Sequence, residues 1–172
     1  MFEVESKHQR LMGYKAGDTM SDTNSGREHV GRIHHTLFIY QNRENQLKAR
    51  DEFSSVLKID DWQEVGEVPE GLSVLISWSS GIELVFPVID NPAYQKHLDK
   101  FGEGFYGMVF GVEDLASSVE HIEKVTGKAP FILKETPKPV YEVFDVAKEA
   151  VVGSLGGAKV LLGEFLRKDT SN

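Results

Sequence analysis

One pattern runs twice through this chain, and it restricts the fold more than any other feature. At 32–40, "RIHHTLFIY" is rich in β-branched and aromatic residues and has no internal Gly or Pro, which predicts a strand. "NRENQLKARDEFSSVLKI" then predicts a helix, with Asn42 as its cap and Leu47, Phe53, Val56 and Leu57 on roughly one face. "DWQEVGEV", "LSVLISW" and "IELVFPV" follow as three short strands separated by "PEG" and "SSG" turns. The order then repeats. "GFYGMVFGV" predicts a strand, and "EDLASSVEHIEKVTG" a helix with Leu115, Val119 and Ile122 on one face and Gly127 at its end. "APFILKE", "VYEVFDV" with "EAVVGS", and "AKVLLGEFL" complete the second pass as strands.

A strand–helix–three-strand unit by itself is a curled sheet with a helix on its outer face and nothing on its concave face. Two units side by side enclose a cleft, into which each strand presents alternate residues. The expected fold is therefore α+β: two tandem βαβββ modules, about 31–90 and 104–167, forming a curled mixed sheet around a cleft. "IDNPAYQKHLDKFGEG" between them predicts a linker with a short helix. Residues 29–167 make the expected domain. Residues 1–28, polar and without a sustained period, are expected to form a flexible arm, and 168–172 a tail.

Composition removes several function classes. With no cysteine there is no disulfide scaffold, thiolate metal site or cysteine nucleophile. A net charge of −8 without a basic stripe argues against nucleic acid. No window approaches the ~18 apolar residues that span a bilayer. The first twenty residues lack the apolar core of a secretory signal, so a cytoplasmic protein is expected.

Two adjacent histidines on a strand are unusual, and strand parity separates them. If His35 faces the cleft, His34 faces the helix side or solvent. Glu83 follows a glycine in an apolar strand, where a buried carboxylate needs a partner. Tyr106 packs on the helix unless a bulge turns its phenol inward. Glu64 and Glu67 read as solvated edge carboxylates, and His97 and His121 as surface residues on helices. Trp62, Trp78, Phe105 and Phe144 read as core or pocket lining. The "GEG" at 102–104 and "GG" at 156–157 are turn signals without the strand–loop–helix setting of a phosphate loop.

The doubled module resembles the vicinal oxygen chelate superfamily, which includes glyoxalase I, extradiol dioxygenases, fosfomycin and bleomycin resistance proteins and methylmalonyl-CoA epimerase. The resemblance covers about 31–167. In "IELVFPVIDNPAYQKHLDKFGEGFYGMVFGVEDL", the length and the "GEG…VEDL" landmarks are most similar to epimerase-like members. It implies a divalent metal (Mn, Co, Fe, Mg or Zn) in the cleft, held from the first and last strands of each repeat. The implied ligands are His35, Glu83 and Glu164, with the two carboxylates also available for acid–base work. The remaining place falls on Gly107, which has no donor atom, so the ion is absent if that vacancy abolishes the site. Glu164 depends on register: counted from the start of its strand, Gly163 takes the ligand place, and a one-residue slip reverses the side chain.

Two function classes follow from the resemblance. One is an isomerase, epimerase, lyase or dioxygenase type of enzyme that stabilises an enolate-like intermediate of a small oxygenated substrate. The other is a metal-free binding or sequestering protein of the drug-resistance type, with a metal-free isomerase or cyclase between them. His35 and Glu83 favour the enzyme and Gly107 the binder. Lys96, Lys100, Lys134 and Lys138 are compatible with an acyl-CoA or other anionic ligand. A homodimer is expected, with the repeats closing either within a chain or across it.

Overall fold

The computed structural model describes residues 29–133 and 138–169. The expected arm at 1–28, Lys134 and the end of the tail lie outside the described residues. No described helix is long and apolar enough to cross a membrane.

Eight strands form one mixed, curled sheet in the order β2-β3-β4-β1-β5-β8-β7-β6. The first module supplies β1 (Ile33–Ile39), α1 (Arg43–Leu57), β2 (Gln63–Val68), β3 (Leu72–Ser77) and β4 (Ile82–Pro87). After α2 (Pro92–Phe101), the second supplies β5 (Gly104–Gly111), α3 (Leu115–Thr126), β6 (Phe131–Ile132), α4 (Lys138–Val143), β7 (Phe144–Leu155) and β8 (Ala158–Arg167). The modules meet in the middle of the sheet, where β1 and β5 pair antiparallel. Each central strand pairs parallel with the last strand of its own module, β1 with β4 and β5 with β8. Both modules therefore shape one cleft within a single chain.

Alternation along the strands sorts side chains to two faces. On the convex face, Ala49 and Phe53 of α1 pack on Leu75 and Leu84. Leu115, Val119 and Ile122 of α3 pack on Ala150 and Leu162. Between them the concave face carries the main apolar cluster, including Leu37, Val74, Ile76, Val109, Phe144 and Phe165. Local chemistry starts and stops these helices. The Asn42 side chain accepts from Asn45 N, and Asp114 accepts from Ala116 N and Ser117 N. Gly127, at φ 69°, ends α3 in the left-handed conformation that glycine adopts without strain. Gln46 is fully buried on the inner face of α1, where its amide donates to the carbonyls of Leu84 at 2.7 Å and Ser73 at 3.3 Å.

The sequence reading departs from the fold in the second module. Of the strand expected at 129–135, Phe131–Ile132 form β6 and 134–135 lie outside the described residues, while 140–143 is helical rather than extended. Val140 and Phe144 both reach the concave cluster, and a spacing of four residues allows this from a helical turn. The strand that does form, β7, continues through "EAVVGS" to twelve residues.

Candidate active site in the cleft

The concave face holds a cavity of about 430 Å³ with a largely apolar wall from both modules, including Leu37, Val74, Ile76, Tyr94 and Leu161. This volume lies in the range of small-molecule sites. Three ionisable side chains converge on one part of that wall. His35 Nε2 lies 2.9 Å from Glu83 Oε2, and Glu149 Oε1 approaches the same nitrogen at 3.7 Å. The structure thus brings His35 and Glu83 together from neighbouring parallel strands, with a glutamate of β7 beside them.

Burial acts on the three in different ways. For His35 it pulls the pKa down, but the hydrogen bond and charge of Glu83, with the charge of Glu149, outweigh it and leave the imidazole above its ordinary value. For Glu149 burial pushes the carboxyl up to about 7; the charge of His35 opposes this, while Glu83 and Glu70 add to it. Its Oε1 is buried and has no hydrogen-bond partner. The side chain as a whole keeps 28% of its surface exposed, at the cleft wall. A carboxyl that titrates near neutrality and has an unsatisfied oxygen can accept a proton from a bound molecule.

His34 overturns the parity expectation. The ladder pairs Ile33 with Phe110 but His35 with Val109, so β1 carries one extra residue, and that bulge turns His34 inward as well. Its ring stacks on Phe165 with centroids 3.9 Å apart and planes at 15°. Its Nδ1 lies 2.9 Å from Nδ1 of His35. A matching bulge falls on β5, where Leu37 pairs with Gly107 and Phe38 with Phe105. Tyr106 is the extra residue, and its phenol lines the cleft beside Tyr94 of α2 rather than packing on α3.

Glu164 is not in this cluster. It lies on the convex face, where its Oε2 accepts from Leu115 N at 3.1 Å and stands 3.7 Å from Lys148 Nζ. The β7–β8 register explains the placement. Glu164 is opposite Lys148, whereas Glu149 is opposite Gly163, so the cleft-facing carboxylate comes from β7. The pairs His35↔Val109 and Leu37↔Gly107 exchange under the pseudo-twofold axis, which keeps Gly107 as the counterpart of His35. Leu37 pairs with Glu83 and Val109 with Leu161, so Glu83 has Leu161 as its counterpart rather than Glu164.

Gly107 is small because of a backbone approach. A Cβ there would lie 2.6 Å from the carbonyl oxygen of Lys159, leaving no room for a side chain of any kind. Of the four places that the resemblance implied for ligands, two carry donor atoms facing the cleft, and one of these donors is already bonded to the other. Among the described residues, no three His, Asp or Glu side chains are arranged to hold a metal ion. The donor set of this cleft does not fit the metal that the resemblance implied.

The other candidates have ordinary settings. Glu64 and Glu67 are exposed on β2, with Glu64 bridged to Arg43 at 2.9 Å, and His121 is exposed on α3. His97 is half-buried against Tyr106, with ring centroids 4.7 Å apart. Trp62 packs on the convex face, Phe105 is largely exposed, and Trp78 and Phe144 belong to the concave cluster. Lys96 and Lys100 are exposed on α2, and among the described residues Lys159 is the lysine on the cleft wall. Glu149 and Lys159 escaped the sequence reading. The available signal for Glu149 was its alternation with Ala147 and Val151, which places all three on one face of an extended strand.

No protein-family model matches the chain, and no curated protein sequence does. Solved structures do match. A variant of Streptomyces coelicolor methylmalonyl-CoA epimerase in complex with 2-nitronate-propionyl-CoA superimposes with a TM-score of 0.54 at 16% identity, over 77% of this chain and 92% of that one. Methylmalonyl-CoA epimerase from Mycobacterium tuberculosis gives 0.53 at 18% identity, over 78% and 88%. At such identities the likeness is one of fold. The structural neighbours of this chain are methylmalonyl-CoA epimerases, and its fold is that of the vicinal oxygen chelate family.

Proposed function

We propose that the protein is an epimerase- or isomerase-type enzyme that moves a proton next to a carbonyl of a small anionic acyl compound, using His35, Glu83 and Glu149. One observation carries the reading: Glu149 Oε1 is buried without a hydrogen-bond partner at the wall of an apolar cleft, 3.7 Å from the His35 imidazole. An unsatisfied carboxylate oxygen in such a place costs about 1–3 kcal/mol of stability, and a proton-accepting task accounts for its presence.

In this reading the Glu149 carboxylate takes the α-proton of the substrate. The C–H electron pair moves into the carbonyl and forms an enolate; the Glu149 carboxyl, whose proton exchanges with solvent, then returns a proton to the α-carbon and is regenerated as the carboxylate. His35, held in place by Glu83, sets its imidazole beside the developing oxyanion. Lys159 on the cleft wall offers a cation for the substrate's own charge. The structural neighbours add support, since one is complexed with an acyl-CoA analogue and others are named for an acyl-CoA substrate.

Incubating the protein in D2O with 2-methyl-branched acyl-CoA thioesters, methylmalonyl-CoA among them, tests the proposal by NMR. Loss of the α-proton signal is expected with wild type, and a fall of about 10²-fold or more with Glu149→Gln. Tight binding of these thioesters by calorimetry without any exchange would replace the enzyme reading with the sequestering one.

A further inference from the structure

We infer that His34 is a positioning residue: through its Nδ1 it fixes the orientation and tautomer of His35, and with them the aim of His35 at Glu83 and Glu149. The inference rests on the proposed acid–base role of that cluster. Three independent features converge on it. First, the bulge in β1 places two consecutive imidazoles on the concave face, although strand parity alone would separate them. Second, the Nδ1···Nδ1 distance of 2.9 Å is a hydrogen-bond distance, so one of the two nitrogens carries a proton and the other a lone pair. Third, His34 is itself held. Its ring stacks on Phe165, and that ring lies over Gly163, where a Cβ would collide with it. The missing side chain at Gly163 thus makes room for the aromatic ring that holds His34.

The chemistry follows from the inventory of donors and acceptors. To bond the Glu83 carboxylate, His35 must carry a proton on Nε2. In the neutral ring this leaves a lone pair on Nδ1, which needs a donor. A backbone carbonyl in the place of His34 could not provide one. The His34 ring can, and a neighbour that sets the tautomer of a working imidazole also sets its direction.

Long-range 1H–15N NMR of the imidazoles tests this in the full-length protein. Wild type is expected to show a through-hydrogen-bond coupling between the two Nδ1 atoms and a single His35 tautomer protonated on Nε2. His34→Phe keeps the stacking and removes the nitrogen. It is expected to leave His35 in mixed tautomers and to lower kcat for α-proton exchange about 10- to 100-fold with KM unchanged. His34→Asn, whose amide nitrogen can occupy the place of Nδ1, is expected to restore both. Absence of the coupling in wild type, or an unchanged His35 spectrum in folded His34→Phe, would overturn the inference. If His34→Phe does not fold, the wild-type coupling and His34→Asn still decide. Should wild type exchange no α-proton, the proposed reaction fails while the NMR result still judges His34.

Discussion

His34 of β1 and Tyr106 of β5 are the two bulged residues of one antiparallel strand pair, and the pseudo-twofold axis between the modules exchanges them. Each precedes a position that the resemblance singled out, His35 in one module and Gly107 in the other. The bulges bring both side chains to the concave face, which gives this cleft an imidazole pair on one side and a phenol on the other. The two modules share a frame and differ in what they hold.

Stability should fall as pH rises through neutrality. The Glu149 carboxyl, raised to about 7 from an ordinary 4.5, binds its proton more tightly in the folded state. Its contribution is therefore fully present below the unfolded value and is lost as pH rises toward the folded one. His35, raised above its ordinary 6.5, acts in the same direction, stabilising below that value and losing the effect as pH passes its folded pKa. Thermal melts of wild type and Glu149→Gln between about pH 5 and pH 8 check this. The variant should have the flatter profile and be more stable at the alkaline end, by on the order of 2 kcal/mol.

Replacing Glu164 should damage the fold and spare the cleft. Its carboxylate accepts from the first amide of α3 and stands at the positive end of that helix. Glu164→Ala is expected to cost about 0.5–2 kcal/mol in denaturant titrations. Deuterium exchange per folded molecule should stay at the wild-type rate. A collapse of exchange in a folded Glu164→Ala would return this residue to the site.

Gly107→Ala should destabilise by about 1–3 kcal/mol, because the added Cβ meets the backbone of Lys159 rather than a movable side chain. Gly107→His should be worse and should recruit no ion. Calorimetry with Mn or Co distinguishes the two accounts of this glycine: tight uptake by a folded Gly107→His would mean that β5 can yield and complete a donor set.

Gln46→Leu keeps the volume of the side chain and removes the donor that serves the Leu84 and Ser73 carbonyls. A loss of about 1–3 kcal/mol is expected in urea unfolding, since the acceptors stay buried. The 2.8 Å bond from Arg43 Nη1 to Gln46 Oε1 is lost with it.

Much of the architecture was legible because it is written in periodicity and punctuation. The alternating runs, the two amphipathic helices with Asn42 and Gly127 at their ends, and the repeat of their order all follow from local rules. The meeting of His35 and Glu83 does not follow from them: the family resemblance implied it, and the parallel pairing of β1 with β4 brings the two side chains to 2.9 Å. The segment 138–155 was harder. A short apolar run suits a helix or a buried strand equally well, and only packing against the concave cluster makes 138–143 a helix and starts β7 at Phe144.

What tertiary structure alone decided is which residues occupy the vacant places of the site. Opposite faces of a strand are one residue apart, so a bulge or a register choice reverses a side chain without any change in local propensity. The bulge in β1 turned His34 inward, and the β7–β8 pairing sent Glu164 to α3 and Glu149 to the cleft. The carbonyl of Lys159 closed the space at Gly107. The sequence by itself determined two modules, one shared cleft and a histidine and a glutamate to place in it. Pairing between strands distant in the chain, which no local pattern encodes, determined that the third charged group is Glu149.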